Sequence, residues 1–366
     1  MQRPDPVQRH DRGVTSFPAS GAARKPADPA GLLPVDLPVV AAPMAGGATV
    51  PALVAAAAAA GGFGFLAAGY KSPEAVTAEL AEVRGLPVGV NVFVPSPSRL
   101  PEEAFRRYAR QIAPEGEPYG LDLAAAEPRW DDDAWTAKVD LLLADPVPVV
   151  SFTFGLPPRS TVDALRRAGS RVLVTVTDAD EAGAAAELGI DGLIVQGADA
   201  GAHSGVHDPA RPPSAVPLPS LLAAVRRVTG LPLLAAGGLA TAEQVRDVVA
   251  AGAVAAMVGT ALLRTDESGA GRTHRDALVD PRYSTTVLTR AFTGRPARGL
   301  RNGFIQRHEA AAPLGYPEVH HLTRPLRSAA AAAGDADRLH LWAGTGHRLA
   351  RTGPAGAVLD GLAGRL

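Results

Sequence analysis

The 366-residue chain contains no cysteine and carries almost no net charge, and each absence excludes a kind of chemistry. Without cysteine there is no disulfide, no thiolate nucleophile and no cysteine-ligated metal, which fits a reducing, cytoplasmic location. A formal charge of −1 lacks the excess of basic residues that nucleic-acid and membrane-surface binders need. We therefore expect a small-molecule partner, with neither nucleic acid nor membrane, and chemistry supplied by other side chains or a cofactor.

A long uncharged stretch, residues 37–70, has the length of a membrane span but not its continuity. Pro43, Pro51 and two Gly-Gly pairs divide it into short pieces, which we interpret as a strand, a loop, an Ala-rich helix and a second strand. Residues 1–30 are rich in Pro, Arg, Asp and Gly and lack an apolar run, so they are predicted to be a disordered leader.

Short β-branched runs alternate along the chain with Ala-rich, helix-like segments. Eight runs are predicted strands: Pro38–Ala42, Phe63–Ala67, Pro87–Phe93, Val147–Thr153, Arg171–Val176, Asp191–Val195, Leu231–Ala235 and Val254–Val258. Eight βα units favour a closed parallel barrel, a TIM (β/α)8 barrel of the α/β class. A doubly wound open sheet remains the alternative, because alternation alone does not show closure.

The remaining segments are assigned around this barrel, which is predicted to span 31–265 with an insertion at about 95–145. Residues 266–346 are expected to form a smaller, mainly helical substrate-capping domain, and 347–366 a C-terminal helix that packs on the barrel. Within the insertion, Asp131–Asp133 is interpreted as the acidic start of a helix. Further along, Arg295 and Arg298 are expected in surface salt bridges, with contact to an anionic ligand as the alternative, and His320-His321 is expected in a solvated turn that binds no metal.

Glycine follows the last two predicted strands. In barrels of this class a phosphate commonly lies at the loops after strands seven and eight, where free backbone amides favour an anion. Leu233–Gly238 and Ala256–Thr260 both end with glycine at this place, although tight βα turns would show the same pattern. The spacing Thr241-x-x-Gln244 predicts a capping box at the start of the following helix.

Polar residues at other strand ends should meet at the same mouth of the barrel. They are Asn91, Ser151, Thr175 and Gln196, joined by Pro43-Met44 after the first strand. At the ends of apolar strands, Asn91, Ser151 and Gln196 are expected to hydrogen-bond either a ligand or one another. Directly after Gln196, the loop to Gly205 places His203 among three glycines. A glycine-rich loop lets the backbone approach a flat ligand closely, so His203 is the candidate catalytic group.

Taken together, these motifs resemble the nitronate monooxygenase family, formerly called 2-nitropropane dioxygenases. The resemblance runs almost end to end and includes Ala42–Gly47, Gly89–Asn91, Val149–Gly155, the His203 loop, Ala236–Gly238, Gly259-Thr260 and Ala291–Gly299. It implies an FMN-containing TIM barrel that converts alkyl nitronates, with nitroalkanes as a further substrate class, to a carbonyl compound and nitrite with O₂. It leaves a homodimer as one possible assembly.

The resemblance also implies a role for each matching residue. The FMN phosphate is expected near Gly237, Gly238, Gly259 and Thr260, and Asn91 and Gln196 are expected to hydrogen-bond the flavin ring. His203 matches the family's active-site histidine, which binds or deprotonates substrate. The cofactor-binding residues are then expected to be Ala42, Pro43, Met44, Asn91, Ser151, Thr175, Gln196, Gly201, Gly237, Gly238, Met257, Val258, Gly259 and Thr260.

Two departures from the family's usual Glu-Ala-Gly-Gly-His loop are present, Asp199 and Ala202. Ala202 can replace glycine only where φ is negative or mild strain is tolerated, so we expect the position of His203 to differ slightly from that in the family. Two alternatives also remain: an NAD(P)H-dependent FMN reductase acting on enoyl thioesters or quinones, and a flavin-binding or phosphate-binding protein without turnover.

Overall fold

The computed structural model describes residues 31–33, 36–96 and 99–364, so the predicted leader lies outside the described residues. Its strands in chain order are β1 (Val39–Ala41), β2 (Phe63–Ala67), β3 (Val88–Phe93), β4 (Val149–Thr153), β5 (Arg171–Val176), β6 (Gly192–Gln196), β7 (Ala202–His203), β8 (Leu233–Ala236), β9 (Ala255–Val258), β10 (Thr286–Thr289) and β11 (Ala297–Leu300). The helices are α1 (Pro51–Ala59), α2 (Pro73–Glu82), α3 (Glu102–Gly116), α4 (Trp135–Ala144), α5 (Arg159–Arg167), α6 (Ala179–Ala186), α7 (Leu218–Val228), α8 (Ala242–Ala250), α9 (Arg272–Ala277), α10 (Gly303–His308), α11 (Glu318–Ala333) and α12 (Ala355–Leu362).

Eight parallel strands form a closed barrel in the order β1-β2-β3-β4-β5-β6-β8-β9. Pairing of β9 with β1, with Val40 opposite Met257, completes the closure and excludes the open sheet. All eight predicted barrel strands are present, and their ends agree with the prediction to within two residues. The capping box of Thr241 and Gln244 is also present at the start of α8.

Alternation along each strand decides which residues face the interior of the barrel. In β5, Val172 and Val174 belong to the core shared with the surrounding helices, whereas Leu173 belongs to the cluster inside the barrel. Because side chains alternate between faces, Thr175 is the next inward residue, at the carboxyl end of the strand. In β6, Ile194 faces the interior of the barrel, and by the same alternation Gln196 is the next inward residue. Polar residues at these inward positions therefore meet at one mouth.

A second core covers that mouth. It joins α3, from the predicted insertion, to α10 and α11, and it contains Phe105, Tyr108, Ala109, Ile112, Leu123, Ala291, Phe292, Phe304, Ile305, Ala312, Val319, Leu322 and Leu326. We call α3 together with residues 272–343 the cap. The cap is not wholly helical, because β10 and β11 form an antiparallel sheet with β7, which belongs to the barrel loop of His203.

The acidic run in the insertion was interpreted wrongly. Helix α4 begins at Trp135, after Asp133 and Ala134, which have φ angles of +55° and +53°. Asp133 instead accepts a hydrogen bond from the backbone N of Tyr70 at 2.9 Å and forms an ion pair with the buried Lys138 at 2.8 Å. The carboxylate thus neutralises a buried ammonium and holds a loop of the barrel mouth. The left-handed φ angles of Asp133 and Ala134 keep both residues out of the helix.

Two further helices complete the surroundings of the barrel. Helix α4 packs against α2 and α5, in the ring of helices outside the strands. Helix α12 packs on α1 and α8 through Val358 and Leu359, which are part of the barrel's outer core. No helix in the described residues is both long enough and apolar enough to span a membrane.

Candidate active site

A cavity of about 440 Å³ lies at the carboxyl ends of the barrel strands, beneath the cap. His203 and all but one of the predicted cofactor residues line it: Ala42, Pro43, Met44, Asn91, Thr175, Gln196, Gly201, Gly237, Gly238, Met257, Val258, Gly259 and Thr260. The exception is Ser151, which is fully buried below the cavity. The barrel therefore brings together residues that are more than 200 positions apart in the chain.

Ser151 holds Asn91 and does not reach the cavity. Asn91 Nδ2 donates to Ser151 Oγ at 2.9 Å and to Thr153 Oγ1 at 2.9 Å. Both hydroxyls lie at inward positions of β4, one layer apart, because side chains alternate along the strand. With the amide nitrogen engaged, the Asn91 carbonyl oxygen remains to accept a hydrogen bond from a ligand.

Unpaired backbone amides border the cavity where β8 and β9 end. Within the described residues, no protein acceptor bonds the backbone N–H groups of Gly237, Gly238, Gly259 and Thr260. Gly237 and Gly238 have φ angles of +116° and +73°, a conformation that glycine adopts without strain. Clustered N–H groups of this kind form an anion site, and a phosphate group has the charge and acceptors to satisfy them.

The loop after β6 holds His203 from two sides. Gln196 Nε2 donates to the backbone oxygen of His203 at 3.2 Å, and Gln196 Oε1 accepts from Gly205 N at 2.6 Å. On the other side, His203 pairs with Ala297 of β11. Gln196 lines the cavity, but both atoms of its amide also bind the loop, so positioning His203 is part of its role.

Ala202 does not keep a negative φ. Its φ angle is +62°, a left-handed conformation that costs an alanine about 1 to 2 kcal/mol. The pairing of Ala202 with Arg298 across β7 and β11 holds this conformation. Alanine therefore replaces the loop's usual second glycine in a strained backbone conformation, and His203 lines the cavity.

Gly201 is needed for contact with the cap. A Cβ on Gly201 would lie 2.7 Å from the backbone C of Ala343, the last residue of the cap, and 2.5 Å from the backbone N of Gly344, which itself donates to Thr260 Oγ1 at 2.9 Å. No side chain fits between these two segments. The close approach expected at Gly201 is thus made in part by the protein's own backbone.

Of the two ring nitrogens of His203, Nε2 has a hydrogen-bond partner and Nδ1 has none among the residues that the structure describes. Its Nε2 lies 2.9 Å from Thr293 Oγ1, and that hydroxyl also donates to the backbone oxygen of Arg295 at 3.3 Å. A hydroxyl has a single hydrogen, so Thr293 accepts from Nε2–H when it donates to Arg295. This arrangement puts the proton on Nε2 and leaves Nδ1 unprotonated.

Burial, followed by the charges of Arg295 and Arg327, lowers the pKa of His203 to about 3. Part of the imidazole surface is open to the cavity, so water entering there would weaken this effect. An enclosed site and two nearby cations both disfavour imidazolium. His203 is therefore a neutral base at neutral pH.

Aromatic rings surround His203. Its ring centroid lies 5.6 Å from that of Phe154, 5.7 Å from that of Tyr316 and 5.8 Å from that of Trp342. Such rings present an apolar wall to a small substrate and limit the access of water to the base.

Arg295 and Arg298 do not form the expected surface salt bridges. Arg295 is 1 % exposed, and its guanidinium lies 4.0 Å from the ring centroid of Phe154. Arg298 donates through Nε to the backbone oxygen of Ala198 at 2.7 Å. Neither arginine pairs with a carboxylate in the described residues. Both instead pack from the cap against loops at the barrel mouth.

The sequence-based interpretation missed part of the cavity wall on α11. His320 and Arg327 line the cavity, two turns apart on one face of the helix, and His320 stacks on Tyr70 with ring centroids 4.1 Å apart. The solvated turn expected for His320-His321 is therefore wrong, since His320 is 5 % exposed. Polar residues seven positions apart within an apolar helical stripe were the available signal.

Fold and site define a class: a (β/α)8-barrel protein in which, within the described residues, unpaired backbone amides at the last two strand ends border the same cavity as a neutral histidine. The nitronate monooxygenase family model matches residues 30–364, and the chain belongs to that family. A probable nitronate monooxygenase of Staphylococcus aureus strain JH9 is 34 % identical over 343 residues, covering 90 % of this chain and 94 % of the relative. Members of this family are flavin-dependent oxidoreductases.

Solved structures agree with this assignment. Nitroalkane oxidase from Streptomyces ansochromogenes is 49 % identical, with a TM-score of 0.84, and the match covers 90 % of this chain and 96 % of that one. FabK from Thermotoga maritima aligns with a TM-score of 0.70 at 23 % identity, over 90 % of this chain and 93 % of its own. That second similarity shows the shared fold alone.

Proposed function

We propose that the protein is an FMN-dependent enzyme that oxidises alkyl nitronates, and also nitroalkanes, with O₂ to a carbonyl compound and nitrite. One observation carries the proposal: an unprotonated nitrogen of His203 and a cluster of free backbone amides border the same cavity. Family membership and the similarity to a nitroalkane oxidase support the reaction class.

The residues present fit FMN. The four free amides at the ends of β8 and β9 have the polarity that a phosphate requires, and the glycines there leave room for it. Asn91 would accept a hydrogen bond from the flavin ring, and Met44 would lie beside it. FMN would supply the electron transfer between substrate and O₂.

The protein's own contribution is to hold substrate and to move a proton. His203 Nδ1 has no protein partner in the described residues, so it is the atom that accepts a proton from the carbon next to a nitro group. Thr293 and Gln196 keep the ring in position, and the aromatic wall excludes water. A substrate that is already a nitronate does not need this deprotonation.

Anaerobic stopped-flow absorbance of the FMN-loaded protein tests the proposal. We expect alkyl nitronate to reduce the flavin rapidly and nitrite to form when air is admitted, with no response to NADH or NADPH. Rapid bleaching by NADH or NADPH alone would overturn the proposal in favour of a reductase. Absence of any reduction by either reagent would indicate a binding protein without turnover.

A further inference from the structure

Arg327 is a buried cation in the cavity wall without a carboxylate partner. Its side chain is 7 % exposed, its Nε donates to Thr323 Oγ1 at 3.1 Å and its Nη2 donates to the backbone oxygen of His320 at 2.9 Å. Nη1 has no hydrogen-bond partner in the described residues. The guanidinium is thus held by neutral groups alone, with one end free.

An uncompensated charge of this kind is costly to bury. Elsewhere in the protein, the buried Lys138 is neutralised by Asp133 at 2.8 Å. No ion pair in the described residues includes Arg327, and the neighbouring buried Arg295 lacks one as well. Although burial lowers the pKa of Arg327 to about 10, it remains protonated at neutral pH. Arg327 lines the cavity, and Arg295 adds a second positive charge near His203, so the cavity favours an anionic occupant.

His320 adds a second donor beside Arg327. Arg327 Nη2 lies 3.2 Å from His320 Nδ1, and because a guanidinium can only donate, Nδ1 is the accepting nitrogen. The proton of the neutral imidazole is therefore on Nε2, which has no protein partner in the described residues. Burial and the charge of Arg327 lower the pKa of His320 and keep it neutral. Two unpaired donors of α11 thus belong to residues that line the cavity.

We propose that Arg327 and His320 form an anion-binding subsite that binds the negatively charged oxygens of the nitronate group and makes the enzyme favour the nitronate over the neutral nitroalkane. The subsite deepens the proposed function and rests on it for its physiological ligand. Its chemistry is recognition of a planar, singly charged group with two oxygens, which a guanidinium matches.

Steady-state kinetics of the FMN-loaded enzyme test this selectivity. Arg327→Met removes the charge and should raise KM for the nitronate about 10- to 100-fold, the range for a lost charge-assisted hydrogen bond. The kcat for the nitronate and the KM for the neutral nitroalkane should change little, because only binding of the charged form is lost. An equal rise in KM for both substrates would overturn the subsite.

Two matched variants separate charge from folding. Arg324→Met removes an exposed arginine of α11 that does not line the cavity, and it should leave both KM values unchanged. Arg327→Lys keeps the charge and should recover most of the affinity for the nitronate. If the lysine variant melts at the wild-type temperature but binds nitronate as poorly as Arg327→Met, charge recognition is excluded.

A binding measurement makes the subsite testable without turnover. Butyrate has the planar charged group of a nitronate, and butyramide is its neutral counterpart. Fluorescence titration, with Trp342 in the cavity wall as reporter, should show tighter binding of butyrate by wild type and loss of that preference in Arg327→Met. Equal affinity of the wild type for butyrate and butyramide would contradict the subsite, even if the enzyme oxidises nitronate. A preference that requires Arg327, in a protein that fails to oxidise nitronate, would retain the subsite and reject the proposed function.

Discussion

The two sides of the cavity are built from different parts of the peptide. At the ends of β8 and β9 the cavity wall is backbone, with four N–H groups among glycines that have no protein acceptor in the described residues. On the opposite side, beneath the cap, the wall is made of side chains: His203, His320, Arg327 and Trp342. Backbone groups depend only on the path of the chain, whereas each side chain depends on partners from another segment. The backbone side should therefore control cofactor affinity, and the cap side should control turnover and substrate choice.

The largest expected effect is on the cap side. His203→Asn removes the base and should lower turnover of a nitroalkane about 10²- to 10⁴-fold, the usual contribution of a general base. The bound flavin spectrum should be retained, because the amide cluster is untouched. Initial rates and the visible spectrum of one preparation measure both effects. Unchanged turnover would remove the catalytic assignment of His203.

The backbone side should respond in the opposite way. Gly259→Asp places a negative charge among the free amides and should weaken FMN binding at least about 100-fold, by repulsion of the phosphate. Quenching of FMN fluorescence during titration of the apoprotein gives the Kd. Gly230→Asp adds the same charge in open space before β8, at the opposite end of the barrel, and is the control. Equal affinities in the two variants would contradict a phosphate site at Gly259.

Thr293, between the cap strands β10 and β11, hydrogen-bonds His203 and sets its tautomer. Thr293→Val keeps the side-chain shape but removes the acceptor for His203 Nε2–H. In part of the molecules the imidazole proton should then be on Nδ1, which can no longer act as the base. We expect kcat for a nitroalkane to fall about 10-fold, in line with the loss of one oriented hydrogen bond, with little change in KM. Thr293→Ser restores the hydroxyl and should restore kcat. Failure of serine to do so would mean that Thr293 acts only in packing.

The smallest effect concerns stability alone. Ala202→Gly relieves the left-handed conformation and should raise the free energy of unfolding by about 1 kcal/mol. Ala200→Gly, in the same loop but without a positive φ, should instead lower it by about 0.5 to 1 kcal/mol. Denaturant unfolding of the two variants measures the difference. A loss of stability in both would show that Ala202 is not strained.

The barrel and most of its site residues were predictable because both follow from short-range patterns. Alternation of apolar residues fixes which face of a strand is buried, so Asn91, Thr175 and Gln196 could be placed at one mouth before any contact was known. Ser151 also faces the interior of the barrel, but it lies one layer below the residues that line the cavity. Depth within a barrel depends on register between strands, which the alternation does not encode.

The sequence by itself determined the eight barrel strands, the glycines where β8 and β9 end, and the loop that carries His203. Only the tertiary structure decided that α3 and α11 share one core, that Thr293 orients His203, and that Arg327 is buried beside the cavity without a carboxylate. The reason is physical. Strand periodicity and turn conformation are local properties of the chain, whereas the burial and charge environment of a side chain depend on which distant segment packs against it.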